Sequence, residues 1–226
     1  MSKTEETVWA EVDRYITGAV PHNDAALDGA IAANKQAGLP AIDVSAPQGK
    51  LLHLLALAVG AKRILEVGTL GGYSTTWLAR ALPLDGRVVT LEYSPRHAEV
   101  ARKNLDAAGM GAKVEIRVGA AAESLERLAS EGVLPFDLIF IDADKKNNAA
   151  YVQWALKLAR RGTVIVVDNV IRSGGILDAK SDDADVRGTR AMFEMVGKEP
   201  RLTATAIQTV GSKGYDGFVM AVVTGD

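Results

Sequence analysis

Apolar and polar positions divide the chain near residue 61. Beyond it, short β-branched runs alternate with helical patterns. The strand-like runs are 63–67 (RILEV), 87–92 (RVVTLE), 113–118 (KVEIRV), 136–142 (FDLIFID) and 163–168 (TVIVVD). Between them the spacing predicts helices over Tyr73–Leu82, Pro95–Ala108, Ala121–Ser130 and Asn148–Arg160. Nearly continuous apolar strands separated by helices indicate a parallel sheet covered on both faces. A further helix is predicted over Asp185–Gly197, followed by strands 202–210 and 217–223 joined by the turn-rich GSKGYDG, which reads as an antiparallel hairpin. Before residue 61 the pattern is helical over Thr7–Gly18, Asp24–Ala37 and Ala46–Val59, with GLPAIDVSAP as a loop. The expectation is an α/β fold of Rossmann-like type: five parallel strands, a C-terminal hairpin and helices on both faces. Residues 1–60 form a helical cap and 61–226 the core of a single domain.

At 226 residues, 48 % hydrophobic and 24 % charged, the chain has the profile of an ordinary globular protein. A formal net charge of −2 disfavours a nucleic-acid partner. The absence of cysteine excludes disulfides, zinc–thiolate sites and thiol nucleophiles. No apolar run reaches the length of a signal-peptide core or a membrane span, so a cytoplasmic location without membrane contact is expected.

In an open parallel sheet, ligands bind beyond the carboxyl ends of the strands. Those ends here carry Glu66 with Gly68, then Glu92, Asp142, and Asp168 with Asn169. The glycines after the first strand fall as G-x-x-G-G (Gly68, Gly71, Gly72), not as G-x-G-x-x-G. A pyrophosphate would meet the Glu66 carboxylate. A ligand with both an ammonium and a carboxylate fits better: amine toward Glu66, carboxylate toward the next helix start and Ser74. Glu92 is placed to accept from ribose hydroxyls. Amino acid at one end and ribose in the middle describe S-adenosylmethionine.

Asp142, Asp168 and Asn169 offer only oxygen donors, a set suited to a hard divalent cation such as Mg²⁺, or Mn²⁺ or Ca²⁺. Lys145 beside them is a candidate general base. Asp144 reads as a helix N-cap and Lys146 as a solvated lysine. Singly each of these has a plain structural explanation: a strand-end turn, a cap, a tight glycine turn. His22, His53 and His97 are scattered, and His53 and Trp77 read as packing. Gln48 and Lys50 open the third helix toward the site, and VIRSGGI (170–176) is expected to wall an acceptor pocket.

LEVGTLGGYST, TLE, IDADKKNN, VVDNV and QTVGSKGYDGF together resemble the cation-dependent O-methyltransferases, the catechol and caffeoyl-CoA type, in their bacterial branch. The resemblance runs from APQGKLL to the last strand. It implies a class I methyltransferase fold with Glu66, Gly68, Ser74, Glu92, Ala120 and Asp142 at S-adenosylmethionine. It further implies Asp142, Asp168 and Asn169 at the cation and Lys145 as base toward a vicinal aromatic diol. Where plant members read DADKDNY, Asn148 replaces the tyrosine. The N-terminal apolar face of Val8, Trp9, Val12 and Ile16 and the resemblance both point to a homodimer. Two rival functions are a nicotinamide oxidoreductase, disfavoured by the glycine register and the acidic pair, and a non-catalytic interaction module on the same fold.

Overall fold

The computed structural model describes residues 4–20 and 23–225; His22 lies outside them. Seven strands form one sheet in the order β3-β2-β1-β4-β5-β7-β6. They are β1 Arg63–Val67, β2 Arg87–Glu92, β3 Val114–Val118, β4 Phe136–Ile141, β5 Ala159–Asp168, β6 Leu202–Gly211 and β7 Gly214–Val223. β1 to β5 pair in parallel, while β7 runs antiparallel to both β5 and β6. The strand order reverses between β1 and β4, which opens a crevice at their carboxyl ends.

Alternate strand residues feed two cores. Ile64, Val88, Leu138, Phe140 and Val166 pack against α2 (Ala25–Gln36), α3 (Ala46–Ala58), α4 (Tyr73–Ala81) and α5 (Pro95–Ala107). Leu65, Val67, Leu91, Ile139 and Val167 pack against α6 (Ala121–Ser130), α7 (Asn148–Leu158) and α8 (Ala184–Lys198). Full burial of each such side chain stabilises by about 1.5–3 kcal/mol. Caps fix where the site-forming helices begin. Ser45 accepts from Gln48 N ahead of α3, and Ser94 from His97 N ahead of α5. Both helices have proline in the first turn, where its missing N–H costs nothing. The first helix, α1 (Glu5–Ala19), buries no side chain.

Most boundaries shift by one or two residues, and two strand starts differ by more. β5 starts at Ala159, because Ala159 pairs with Phe136 ahead of a register shift. The hairpin link shrinks to Ser212–Lys213, because Tyr215 and Asp216 pair with Val210 and Thr209 inside β7. Their polarity masked the start of that strand. Among the described residues no helix is long and apolar enough to cross a membrane.

Candidate active site

A cavity of about 890 Å³ occupies the crevice, within the size range of small-molecule sites. Gly68, Ser74, Glu92, Ala120, Asp142, Lys145 and Asn169 all line it. Gly68 must be glycine: its φ is +102°, and a Cβ there would sit 2.1 Å from the Asp142 carbonyl. That close approach draws the ends of β1 and β4 together, with Asp142 N donating to Val67 O at 2.8 Å.

Glu92 organises the glycine loop. Its Oε2 accepts from Thr69 N (3.2 Å) and Leu70 N (2.8 Å), and its Oε1 from Ser94 N (2.9 Å). Leu70 is held at φ 50° in this turn. His97 Nδ1 lies 3.3 Å from Glu92 Oε1, and both residues line the cavity.

Glu66 is placed differently from expectation. It is 0 % exposed and does not line the cavity. Side chains alternate along a strand, so Glu66 shares the face of Ile64 and points under α4. There it accepts from Ser74 Oγ (2.6 Å), Thr75 Oγ1 (2.5 Å) and Thr90 Oγ1 (2.7 Å). Burial pushes its carboxyl up to about 7 against the pull of those three hydroxyls. Glu66 therefore holds Ser74 from beneath, through the 2.6 Å bond from the Ser74 hydroxyl.

At the other end, Lys145 Nζ donates to Asp142 Oδ1 at 2.6 Å. Lys145 is 6 % exposed, on a 3₁₀ turn at Lys145–Asn147. Asp168, 4 % exposed, accepts from Asn169 N at 2.8 Å. Burial, and next the charge of Asp142, push the Asp168 carboxyl up to about 7; Lys145, Asn169 and the Gln48 side chain pull it down. Two carboxylates that repel each other in a buried corner are the electrostatic condition that a bound cation relieves. Among the described residues no three of His, Cys, Asp or Glu converge as a metal site. The Asn169 amide is thus needed as a third donor, and the set Asp142, Asp168 and Asn169 fits a hard cation with further ligands from water or substrate.

Gln48 reaches this corner as expected, whereas the Lys50 ammonium lies over the Trp77 ring, 5.1 Å from its centre. Asp144 precedes the 3₁₀ turn, but its side chain caps no backbone N–H; it accepts from Asn147 Nδ2 and Tyr151 OH, each at 2.5 Å. Trp77 is core at 2 % exposed, and His53 packs edge-on against it. Arg172, from the 170–176 segment, lines the cavity. Ile42, Asp43, Val44, Tyr93 and His97 were not foreseen as lining it. The 42–44 stretch belongs to a loop whose sequence carries no motif, and only the packing of the N-terminal layer brings it over the crevice.

Residues 23–221 match the O-methyltransferase family. A catechol O-methyltransferase of Mycobacterium tuberculosis is 59 % identical over 213 residues, 94 % of this chain and 95 % of that protein. The O-methyltransferase from Bacillus cereus, solved in complex with SAH, superimposes with a TM-score of 0.95 at 54 % identity, covering 96 % of this chain and 99 % of that one. The O-methyltransferase TomG from Streptomyces achromogenes, solved with SAM, gives 0.96 at 50 % identity over 99 % and 100 %. The fold, the glycine turn and these likenesses agree, and the chain belongs to the S-adenosylmethionine-dependent O-methyltransferase family.

Proposed function

We propose that this protein transfers a methyl group from S-adenosylmethionine to one hydroxyl of a vicinal aromatic diol, assisted by Mg²⁺ or a similar hard cation. The carrying observation is the shared cavity. Its glycine-loop end, with Ser74, Glu92 and Ala120, is continuous with the corner of Asp142, Lys145 and Asn169. The name of the Mycobacterium tuberculosis relative supports the acceptor class.

The loop amides, Ser74 and Glu92 hold the methyl donor at one end of the cavity. Asp142, Asp168 and Asn169 would hold the cation at the other, with the diol oxygens beside it. A divalent ion bound there supplies Lewis acidity that lowers the pKa of the acceptor hydroxyls. Lys145, positioned by Asp142, would take the proton of the attacking hydroxyl as the neutral amine, after giving up its own proton to solvent, as the oxygen moves onto the methyl carbon and the thioether leaves. The sulfonium is already a good leaving group, so alignment of donor and acceptor supplies much of the remaining rate. Retention of every one of these residues favours an enzyme over an interaction module.

The exposed apolar side chains of α1, Val8, Val12, Tyr15 and Ile16 at 38–76 %, support a homodimer with this helix in the interface. The test of function is methyl transfer to a catechol panel from labelled donor. Turnover should vanish after exhaustive EDTA treatment and return with Mg²⁺. Full activity in metal-free buffer would remove the cation from the reading, and no transfer to any catechol would remove the acceptor class.

A further inference from the structure

The backbone that follows β5 is held in a conformation that L-residues avoid. Asn169, Arg172 and Ser173 have φ of 54°, 55° and 52°, in the left-handed region where a Cβ crowds the backbone. Such residues persist only where the surroundings over-determine them. Here the surroundings are three residues of β7. Asp216 Oδ1 accepts from Ile171 N at 2.9 Å, Arg172 N at 3.1 Å and Gly217 N at 3.0 Å. Val170 N donates to Gly217 O at 3.0 Å, and Ser173 Oγ to Tyr215 O at 3.3 Å. Gly217 permits this contact, since a Cβ there would sit 2.2 Å from Ile207 O and 2.7 Å from Ile171 Cγ1. Every residue from Val170 to Ser173 is therefore tied to Tyr215, Asp216 or Gly217.

We infer that Asp216 is a positioning residue for the cation corner: by clamping residues 170–173 it sets the left-handed turn at Asn169, and with it the point from which the Asn169 amide leaves the backbone. A carboxylate suits this task, because bonds to an ionised acceptor are about twice as strong as neutral ones. The same clamp places Arg172 at the cavity wall. The inference rests on the proposed cation site, and Asp216 itself does not touch donor, acceptor or cation. A residue that merely closed the β6–β7 hairpin would stabilise the fold without influencing cation affinity.

The test uses the full chain and Mn²⁺ as probe, with bound ion read from loss of the free Mn²⁺ electron paramagnetic resonance signal. Asp216→Ala should raise the Mn²⁺ dissociation constant about 10–100-fold, the range for losing a partner that orients a ligand. Binding of S-adenosylhomocysteine in metal-free buffer should stay within about twofold, because its end of the cavity is built on β1, β2 and α4 and tenfold would already need about 1.4 kcal/mol. The Ile171 and Arg172 amides should exchange with solvent faster. Asp216→Asn, which keeps one acceptor oxygen, should fall between wild type and Asp216→Ala, and it decides alone if the alanine variant does not fold. Wild-type Mn²⁺ affinity in either folded variant would overturn the inference, as would an equal loss of S-adenosylhomocysteine binding. A wild-type protein that binds no Mn²⁺ would instead refute the cation site itself, and the inference with it.

Discussion

Glu66 offers the sharpest quantitative test, because its carboxyl is fully buried yet surrounded by donors. The folded protein holds its proton up to about pH 7, whereas the unfolded chain releases it near the ordinary value of 4.5. Between those limits the unfolded state binds fewer protons, so stability falls as pH rises. The contribution is fully present below pH 4.5 and lost as pH passes through 7. At about 1.4 kcal/mol per pH unit, the interval corresponds to about 3 kcal/mol. Glu66→Gln removes the titration while leaving a carbonyl oxygen for the hydroxyls of Ser74, Thr75 and Thr90. Urea unfolding of both proteins at pH 5 and pH 8 isolates the effect, since all other titrating groups cancel in the difference. The variant should gain about 2.5 kcal/mol on wild type between the two values, slightly less than the full interval because pH 5 already lies above 4.5. A difference that does not change with pH would mean that Glu66 is ionised in the fold and that its three hydroxyls outweigh its burial.

The same variant separates the two roles a carboxylate could play at this strand end. Calorimetry with S-adenosylhomocysteine should give an affinity within about twofold of wild type, because Glu66 lies beneath α4 and outside the cavity. A loss of tenfold or more, about 1.4 kcal/mol, would refute that placement and return Glu66 to the ligand.

Glu92→Ala should weaken S-adenosylmethionine binding by about 1–3 kcal/mol, since it leaves the Thr69, Leu70 and Ser94 amides without their acceptor; unchanged affinity by calorimetry in a folded variant would remove Glu92 from the site. Lys145→Ala should keep S-adenosylhomocysteine binding and lower kcat about 10²–10⁴-fold, with a smaller loss on a nitrocatechol whose hydroxyl ionises unaided. A rate deficit that does not vary with acceptor pKa would count against the base role. Sedimentation at micromolar concentration should show a dimer that Val12→Glu on α1 disrupts, and a wild-type monomer would exclude that interface.

What could be read in advance follows from how far along the chain each cause acts. β1, β4 and the end of β5 are buried on both faces, so each appears as a nearly continuous apolar run. The acid that ends such a run, Asp142 or Asp168, is thereby placed at the crevice before any contact is known. Asn169 follows by adjacency, and Lys145 by a single turn. Glu66 lies within one of these same runs, and the period of two assigns it to the face of Ile64. The run cannot say which face the crevice opens beside, and that depends on α4 folding back over β1. The roof over the cavity is harder still. Val44 and its neighbours are held over the crevice where Asn34 on α2 donates to Asp43 at 2.8 Å and accepts from Asn104 on α5, 70 residues away, at 3.0 Å. Asp216 is the extreme case. It stands where a strand-end polar residue would draw no notice, and its function lies in three N–H groups, two of them 44 and 45 residues earlier. Chemistry supplied by a residue's own type is visible in sequence; chemistry supplied by what it holds in place becomes visible only when both partners have coordinates.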